Sequence, residues 1–567
     1  MTERPGGSDV TALQRSVERA QRVRSVSAGA TSRAETPGPT PLAVTPATPA
    51  DTPTAPRPAE RRRTGLATAL PVLALVLLAL GVRAIGLTRS FELWVDEMLY
   101  AELGASVARG ELPNLPDGLF FLHPPGVFIV EAAAIRLFGM TGDSMELVYQ
   151  LRWLSAVGGA LTVGLVFVIL RRAAGTPAAV VAAVLAIFEP FVLRNNSRTF
   201  LETTAVLAVL VGLALVVDHL ARGEAGRGRR GRLVLVVAGL ALGYGVLCKD
   251  VMVVCAVAPV VLAAVWRRTL PLREAAILIG TSAVPYLVYL TVLVVSGWFG
   301  EWFVAKSKGA QRMLGFVQST GFNAPDSPPL IDRVIAQVGF FGTSYVLLLL
   351  CPLVGVVAAL SARPERRIVG LVAVMAGLFG LYSAAFGTFE EQYGYPVMVP
   401  AILAAAVAAV ELSERFPGLR RTVTVACLVF TAAAMALGIR TEATRDDGFL
   451  QVRRWAEAYL PGNARVGVTN GTAELAFAND PRFGTWASLP ELAENDASFV
   501  MTQSLPTSLG YGYARKELLT WLAANATPMI AVPGPTNGVT TLWFISRPAL
   551  EAGAAASVAS PRLEPEQ

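Results

Sequence analysis

A polar stretch near the start of the chain carries two neighbouring carboxylates. Asp96 and Glu97 follow a tryptophan in the sequence FELWVDEMLY, and the stretch is too polar to cross a membrane. A carboxylate in such a place can accept a proton from an attacking hydroxyl or amine, which makes Asp96 a candidate general base. The alternative is that both side chains belong to a solvated loop surface, as most Asp and Glu residues do.

Cations at three later positions could complete this chemistry. Arg152, Arg198 and Lys249 each stand near the end of an apolar run. A phosphate leaving group needs stabilisation of its charge more than it needs a proton, and fixed cations supply that. One base with several cations therefore favours sugar transfer from a lipid-linked phosphate, whereas a glycosidase would use two cooperating carboxyl groups. Each cation could equally anchor a span at the membrane surface.

Five further side chains are predicted to line the same substrate site. They are His123, Glu202, Glu390, Glu391 and Tyr393. Glu202 lies one helical turn after Arg198, so the two could also form a simple intrahelical ion pair. His123 precedes two prolines and could mark a turn at the start of a helix.

The composition is that of a polytopic membrane protein. Of the 567 residues, 53% are hydrophobic and only 16% are charged, whereas about a quarter of a soluble protein is charged. The mean hydropathy is +0.51. The predicted fold class is therefore an all-α membrane protein of about eleven transmembrane helices with a small C-terminal α/β domain. The predicted spans are 65–87, 153–170, 177–193, 203–220, 233–247, 251–265, 275–295, 338–360, 368–386, 396–410 and 422–439.

The arginine distribution predicts the orientation of these spans. Dense Arg clusters alternate along the chain with the motifs DE, RNNSR, KD and EEQY. Because Arg and Lys collect in cytosolic loops, this alternation places the four motifs together outside the cytosol. Segment 126–139 is short and charged, and we interpret it as interfacial or re-entrant. The chain is thus predicted to be a multi-pass plasma-membrane protein with a cytosolic N-terminus. The net charge of +6 reflects these loops. The sequence contains no basic patch with interleaved aromatic residues, which nucleic-acid binding would need.

Three regions are predicted from these patterns. Residues 1–64 are rich in Thr and Pro and are predicted to be a disordered cytosolic tail. Residues 65–440 form the transmembrane catalytic domain. Residues 441–567 contain no further span. Strands predicted at 464–469, 498–502, 529–532 and 540–545 alternate with helices near 473–478 and 514–526, and this pattern predicts an extracytoplasmic α/β domain. The stretch after Arg547 is expected to lack regular structure.

The sequence predicts no metal site. The four cysteines lie in or beside apolar runs, and no Cys or His cluster has the spacing of metal ligands. Only two histidines are present. The chemistry requires no certain cofactor, although assistance from a divalent cation stays open.

The order of the motifs resembles a known family. WVDEMLYAELGASVARG followed by FLHPPGVFIVEAAAIRLFG resembles the first external loop of the protein O-mannosyltransferases, and is similar to the aminoarabinose-lipid A transferases. Both share the membrane glycosyltransferase fold called GT-C. RNNSRTFLETT, GLALGYGVLCKD and, more loosely, EEQYGYPVMVP resemble later segments. The resemblance extends over 65–439.

The resemblance implies roles for individual residues. Asp96 would be the catalytic carboxylate, and Glu97 would help to position the acceptor. Arg152, Arg198 and Lys249 would line the donor phosphate site, and the loop 296–333 would cover the substrate.

We therefore predict an inverting glycosyltransferase that moves a sugar from a polyprenyl-phosphate donor to a protein, lipid or cell-wall glycan outside the cytosol. Its partners would be the lipid-linked sugar, the extracytoplasmic acceptor and the bilayer, with no nucleic acid. Two alternatives stay open. A lipid-linked-sugar transporter or flippase could use the same cations to bind phosphate without chemistry. An envelope scaffold would instead act through the C-terminal domain.

Overall fold

The computed structural model describes residues 58–87, 93–116, 118–223, 228–266, 269–317, 321–324, 329–444, 447–508, 512–534 and 538–559. Positions 1–57 of the predicted tail lie outside these ranges. The described chain forms a bundle of helices followed by a small α/β domain, which confirms the predicted fold class.

A short layer of structure follows the first helix. In chain order it contains helix α1 (Pro58–Ala84), helix α2 (Val95–Arg109), strands β1 (Asn114–Leu115) and β2 (Gly118–Leu119), and helix α3 (Gly126–Phe138). Helix α2 ends at Gly110, whose positive φ of 94° allows its backbone N–H to cap the last turn. Helix α3 has 13 residues, a length of about 20 Å, which is too short to cross the hydrocarbon core.

The remaining membrane segment is helical. Its helices are α4 (Ser144–Ala173), α5 (Thr176–Phe188), α6 (Pro190–Asn195), α7 (Leu201–Arg222), α8 (Arg229–Cys248), α9 (Val253–Ala256), α10 (Ala258–Val265), α11 (Leu272–Val295), α12 (Phe299–Met313), α13 (Leu330–Ala359), α14 (Pro364–Ala385), α15 (Tyr395–Arg415) and α16 (Arg420–Ala443). Eight helical segments of the described chain are long and apolar enough to cross a membrane, and three shorter apolar segments accompany them. Every apolar run predicted as a span is largely helical, although the helix is interrupted at Glu189 within 177–193 and at Val257 within 251–265. The number of helices that cross the bilayer stays a prediction.

Small residues let the spans approach closely. A methyl group built on Gly243 of α8 would lie 2.1 Å from the backbone oxygen of Ser282 on α11. One built on Gly370 of α14 would lie 2.2 Å from the backbone nitrogen of Ala359 on α13. Such contacts are typical of membrane bundles, in which packing rather than hydrophobic exclusion brings helices together.

The C-terminal domain is built around a mixed sheet. Its elements are α17 (Gly448–Tyr459), β3 (Val466–Val468), α18 (Gly471–Ala476), β4 (Phe483–Gly484), α19 (Leu489–Glu494), β5 (Phe499–Gln503), α20 (Ser504–Ser508), α21 (Lys516–Asn525), β6 (Thr527–Gly534), β7 (Gly538–Phe544) and α22 (Arg547–Ala559). The strand order is β4-β3-β5-β7-β6. Strands β3, β4 and β5 are parallel, whereas β6 and β7 are antiparallel to their neighbours.

The sequence predicted the longer strands of this domain, but one expectation was wrong. Residues after Arg547 were expected to lack regular structure, yet they form α22 as far as Ala559. The helix packs in the cluster that contains Leu522 and Leu550. Its many small residues gave no periodic apolar pattern, so its burial arises from tertiary contact.

Candidate active site

Helix α2 is fixed by Glu97, whose carboxylate is fully buried. Arg152 donates two hydrogen bonds to it, with Nε 2.9 Å from Oε1 and Nη2 2.8 Å from Oε2. The backbone N–H of Thr199 donates to Oε1 at 2.8 Å, and that of Trp94 donates to Oε2 at 3.2 Å. Both charged side chains are 0% exposed. This bidentate pair joins α2 to α4 and to the turn before α7, because each lone pair of the carboxylate has a partner.

Asp96 faces another direction. Successive helical residues are rotated by about 100°, so Asp96 cannot share the environment of Glu97. It is partly exposed, and it lies close enough to Glu390, Lys249 and the amide of Gln392 for each of them to affect its ionisation. Burial, followed by repulsion from Glu390, raises the pKa of Asp96 to about 7. A carboxylate that titrates near neutral pH is suited to general-base chemistry.

Lys249 lies beside Asp96 at the point where α8 ends. Its backbone is extended, and its side chain is only 1% exposed. The ammonium group forms an ion pair with Glu202 and lies 5.0 Å from the ring centroid of Tyr393. The second oxygen of Glu202, Oε2, accepts no hydrogen bond within the described part of the chain. This site therefore retains an unused acceptor next to a fixed cation.

A second group of cations adjoins the first. Arg194 Nη1 lies 3.1 Å from Glu391 Oε1, and Arg198 Nη1 lies 3.4 Å from the same oxygen. Arg198 also lies over the rings of Trp94 and Phe200. Burial and the neighbouring Arg194 lower the pKa of Arg198 to about 10, so the guanidinium still carries its charge at neutral pH.

The segment after α11 brings two more cations to the site. Lys306 on α12 lies 2.5 Å from Asp250 Oδ2 and donates to the carbonyl oxygen of Leu122 at 2.8 Å. Arg312, on the same helix, lies 3.2 Å from Glu390 Oε1. No residue of α12 is fully buried. The helix therefore rests on the site surface, where the sequence had placed a substrate-covering loop.

His123 lines this site as an uncharged group. Its ring lies 5.9 Å from those of Tyr100 and Phe120. Burial, and then the nearby cations of Lys249 and Lys306, hold the pKa of His123 well below its usual range. The imidazole is neutral at pH 7 and can exchange hydrogen bonds but not neutralise a phosphate.

In the structure, the predicted site residues form three groups. Around Asp96 lie His123, Glu202, Lys249, Glu390 and Tyr393. Arg198 and Glu391 form an adjoining pair, whereas Glu97 and Arg152 are occupied with each other.

Sequence reasoning missed several site residues. They are Tyr100, Arg194, Arg312 and Gln392. Arg194 begins the motif RNNSR and lies one helical turn before Arg198, so its spacing could have identified it. Arg312 gave no such signal, because only the fold of α12 brings it to Glu390. Within the described residues, no group of three His, Cys, Asp or Glu side chains could hold a metal ion, and assistance by a divalent cation stays a prediction.

Comparison with known proteins supports the predicted resemblance. The family model described as dolichyl-phosphate-mannose-protein mannosyltransferase matches residues 141–307. The structure of ArnT from Cupriavidus metallidurans bound to undecaprenyl phosphate is similar with a TM-score of 0.52 at 15% identity, over 87% of this chain and 99% of that chain. A search of curated protein sequences finds no match.

A second structural match extends the same conclusion. The archaeal oligosaccharyltransferase AglB from Archaeoglobus fulgidus, in complex with an inhibitory peptide and a dolichol-phosphate, is similar with a TM-score of 0.51 at 12% identity. The match covers 88% of this chain and 78% of that chain. These likenesses confirm that the chain has the GT-C fold that its first-loop motif resembles.

Proposed function

We propose that this chain is a membrane glycosyltransferase that moves a sugar from a polyprenyl-phosphate donor to an extracytoplasmic acceptor. One observation carries the proposal: the partly exposed carboxyl group of Asp96, whose pKa is raised to about 7, lies close to the buried cation of Lys249, and further cations adjoin it. The matched family and structures include a dolichyl-phosphate-mannose-dependent mannosyltransferase, and proteins bound to undecaprenyl phosphate or dolichol-phosphate.

The donor phosphate would bind between Lys249, Arg198 and Arg312. These cations are each paired with a carboxylate in the described structure: Glu202, Glu391 and Glu390 respectively. A phosphate must therefore compete with carboxylates. Glu390 and Glu391 are partly exposed and can turn towards solvent at lower cost than the buried Glu202. Donor binding would accordingly release the two glutamates of the EEQY motif.

The transfer step follows from these positions. The ionised carboxylate of Asp96 takes the proton of an acceptor hydroxyl. At the same time, the oxygen of that hydroxyl attacks the anomeric carbon of the sugar. The bond from that carbon to the phosphate oxygen breaks, and the electron pair leaves with the phosphate. Lys249 and Arg198 stabilise the charge that gathers on it. One displacement of this kind inverts the anomeric configuration.

Glu97 and Arg152 would act by positioning. Their carboxylate and guanidinium are already joined by two hydrogen bonds and are sealed from solvent. They hold α2 so that Asp96 faces the cleft, and their contribution to donor and acceptor binding is indirect. The multi-pass topology would have the N-terminus in the cytosol and the C-terminal domain outside.

Reconstitution of the full chain in lipid nanodiscs tests the proposal. We expect binding of undecaprenyl phosphate, and transfer of sugar from undecaprenyl-phosphate-linked mannose or another lipid-phosphate sugar to an envelope extract of the source cell. A preparation that binds no such lipid and transfers no sugar would overturn the proposal. Binding and passage of the lipid across the bilayer without transfer would identify a transporter instead.

A further inference from the structure

One face of the C-terminal sheet packs directly on the membrane domain. Val468, Met501 and Leu542, from three adjacent strands, share one hydrophobic cluster with Met98 of α2 and Leu151 of α4. The register pairs Val468 with Met501 and Met501 with Leu542, so these side chains lie on the same face of the sheet. The sheet is therefore oriented relative to the helix that carries Asp96.

This face becomes polar at the carboxyl end of β5. Gln503 and Thr540 lie two residues beyond Met501 and Leu542, so they lie on the same face of the sheet. Asn470 follows the end of β3 and caps the start of α18. Gln503 is opposite Thr540 in the register, and the Asn470 amide donates to the Gln503 carbonyl oxygen. All three side chains are buried, Gln503 to 2% exposure. We call them the polar row.

The polar row contains hydrogen-bonding groups that have no partner in the described part of the chain. The amide nitrogen of Gln503 and the hydroxyl of Thr540 have no hydrogen-bond partner within the described residues. A buried donor without an acceptor is destabilising, so each of these groups needs a partner such as a ligand or an ordered water. The carboxyl edge of parallel strands, where the strand order changes direction, is also the usual ligand-binding edge of an open α/β sheet.

The polar row ends beside the first residue of α2. Helix α18 begins at Gly471, directly after Asn470. A methyl group built on Gly471 would lie 3.7 Å from Val95 Cγ2 and 3.3 Å from the Tyr513 hydroxyl. Val95 is the first residue of α2, so the sheet edge and the start of this helix form one continuous wall, from which Asp96 is rotated by about 100° around the helix axis.

An aromatic side chain and a carboxylate complete this wall. Tyr513 is 50% exposed, and its hydroxyl donates to Glu474 Oε2 at 2.5 Å. Its backbone N–H donates to the carbonyl oxygen of Thr469 at 2.8 Å, which fixes the ring over the edge. The combination of amide, hydroxyl, carboxylate and exposed ring suits a polyhydroxylated ligand, whose hydroxyls both donate and accept and whose apolar ring face can stack on an aromatic.

We propose that the edge formed by the polar row, Glu474 and Tyr513 binds the acceptor, and that the acceptor is a glycan. This inference rests on the proposed function and deepens it, because it assigns a substrate class to the C-terminal domain. The glycan lies along the sheet edge and presents a hydroxyl to Asp96.

The test measures acceptor and donor recognition separately on the full chain in nanodiscs. The probes are undecaprenyl phosphate for donor binding, and short oligosaccharides cleaved from the envelope polysaccharide of the source cell for transfer. Gln503→Leu removes the unused donor, and Tyr513→Ala removes the ring. Each should raise the acceptor KM about tenfold, the usual weight of one hydrogen bond to a buried group, with kcat and the Kd for undecaprenyl phosphate unchanged. Tyr459→Ala, at a 70% exposed tyrosine on α17, should change none of these values.

The outcomes separate the inference from the function on which it rests. Normal acceptor KM in both variants would overturn the inference and leave the glycosyltransferase intact. If a synthetic threonine–alanine peptide were glycosylated with the same dependence on Gln503 and Tyr513, the edge would bind peptide and the glycan assignment would be wrong. A wild-type protein that bound no undecaprenyl phosphate and transferred no sugar would instead remove the proposed function. Because Tyr513 is half exposed, its variant keeps the test decisive should Gln503→Leu fail to fold.

Discussion

Each end of the helix bundle holds a cluster of charged side chains. The two clusters differ in how many of their polar atoms have hydrogen-bond partners. At one end, Arg366 donates to Ala173 O at 2.7 Å, to Glu411 at 2.7 Å and to Glu414 at 2.6 Å and 2.9 Å. Ser361 donates to the same Glu411, so no guanidinium nitrogen lacks an acceptor. At the other end, Glu202 retains an unused oxygen and Asp96 titrates near neutral pH.

This difference separates structural from functional charge. Buried ions occur at both ends, so burial alone does not identify a site. A satisfied network stabilises one arrangement, whereas an unused acceptor beside a cation leaves room for a ligand. The Glu97–Arg152 pair follows the first pattern although it lies next to Asp96, which explains why neighbouring residues are assigned different roles.

The sharpest test of the comparison is Asp96→Asn. It keeps the size and hydrogen bonding of the side chain but removes the basic oxygen, so transfer should fall by about 10²–10⁴-fold. Undecaprenyl phosphate binding and the thermal unfolding midpoint should stay near those of the wild type. Asp332→Asn, at an exposed aspartate on α13, is the matched control. Turnover of Asp96→Asn within a few-fold of wild type would contradict the assignment of the base.

Arg366→Met should give the opposite result. It leaves Glu411 buried without its cation, and breaking a buried ion pair costs about 3 kcal/mol or more of unfolding free energy. The midpoint in a denaturant titration should fall, while donor Kd of the folded protein stays unchanged. Arg420→Met, at an exposed arginine, should be near neutral. Unchanged stability with weakened donor binding would mean that the Arg366 cluster is functional and the comparison is wrong.

Lys249→Met should weaken donor binding, and it should also destabilise the protein because Glu202 stays buried without its cation. A charge-assisted hydrogen bond contributes about 1.5–3 kcal/mol, so the Kd for undecaprenyl phosphate should rise roughly 10- to 100-fold. Glu202→Gln, combined with Lys249→Met, removes the uncompensated carboxylate and should restore stability but not binding. Lys308→Met on the exposed side of α12 serves as the control. Wild-type donor affinity in Lys249→Met would make this lysine a purely structural partner of Glu202.

The smallest expected effect is a shift in pH dependence. The base acts when ionised, so turnover should rise as pH increases through about 7, the raised pKa of Asp96. Glu390→Gln removes the neighbouring negative charge that raises this pKa and should move the profile to lower pH. Stability should change in the opposite sense: the folded state keeps a proton that the unfolded carboxyl releases, so this contribution is lost as pH rises towards 7. A profile identical in Glu390→Gln would show that another group controls it.

The sequence predicted the helical bundle well because each span is a continuous apolar run, and membrane insertion depends on that local property. It also located strands β3, β5, β6 and β7. Sequence reasoning assigned to Asp96 the role of base and to Glu97 that of positioning the acceptor. It could not show that Glu97 is buried against Arg152, because that pair joins residues 55 positions apart in the chain. Arg312 and the polar row depend on contacts between distant segments, for which local pattern contains no information.

The shared core of α2 and the C-terminal sheet has a consequence for biogenesis. Met98 and Ala101 complete their packing against Phe449, Met501 and Leu542, which are synthesised several hundred residues later. At translation rates of about 5–20 residues per second, this wait lasts tens of seconds. The helix that carries Asp96 therefore cannot complete its packing until almost the whole chain has been synthesised. A chain truncated before the last domain would leave this apolar surface of the bundle uncovered, and an uncovered apolar patch favours aggregation.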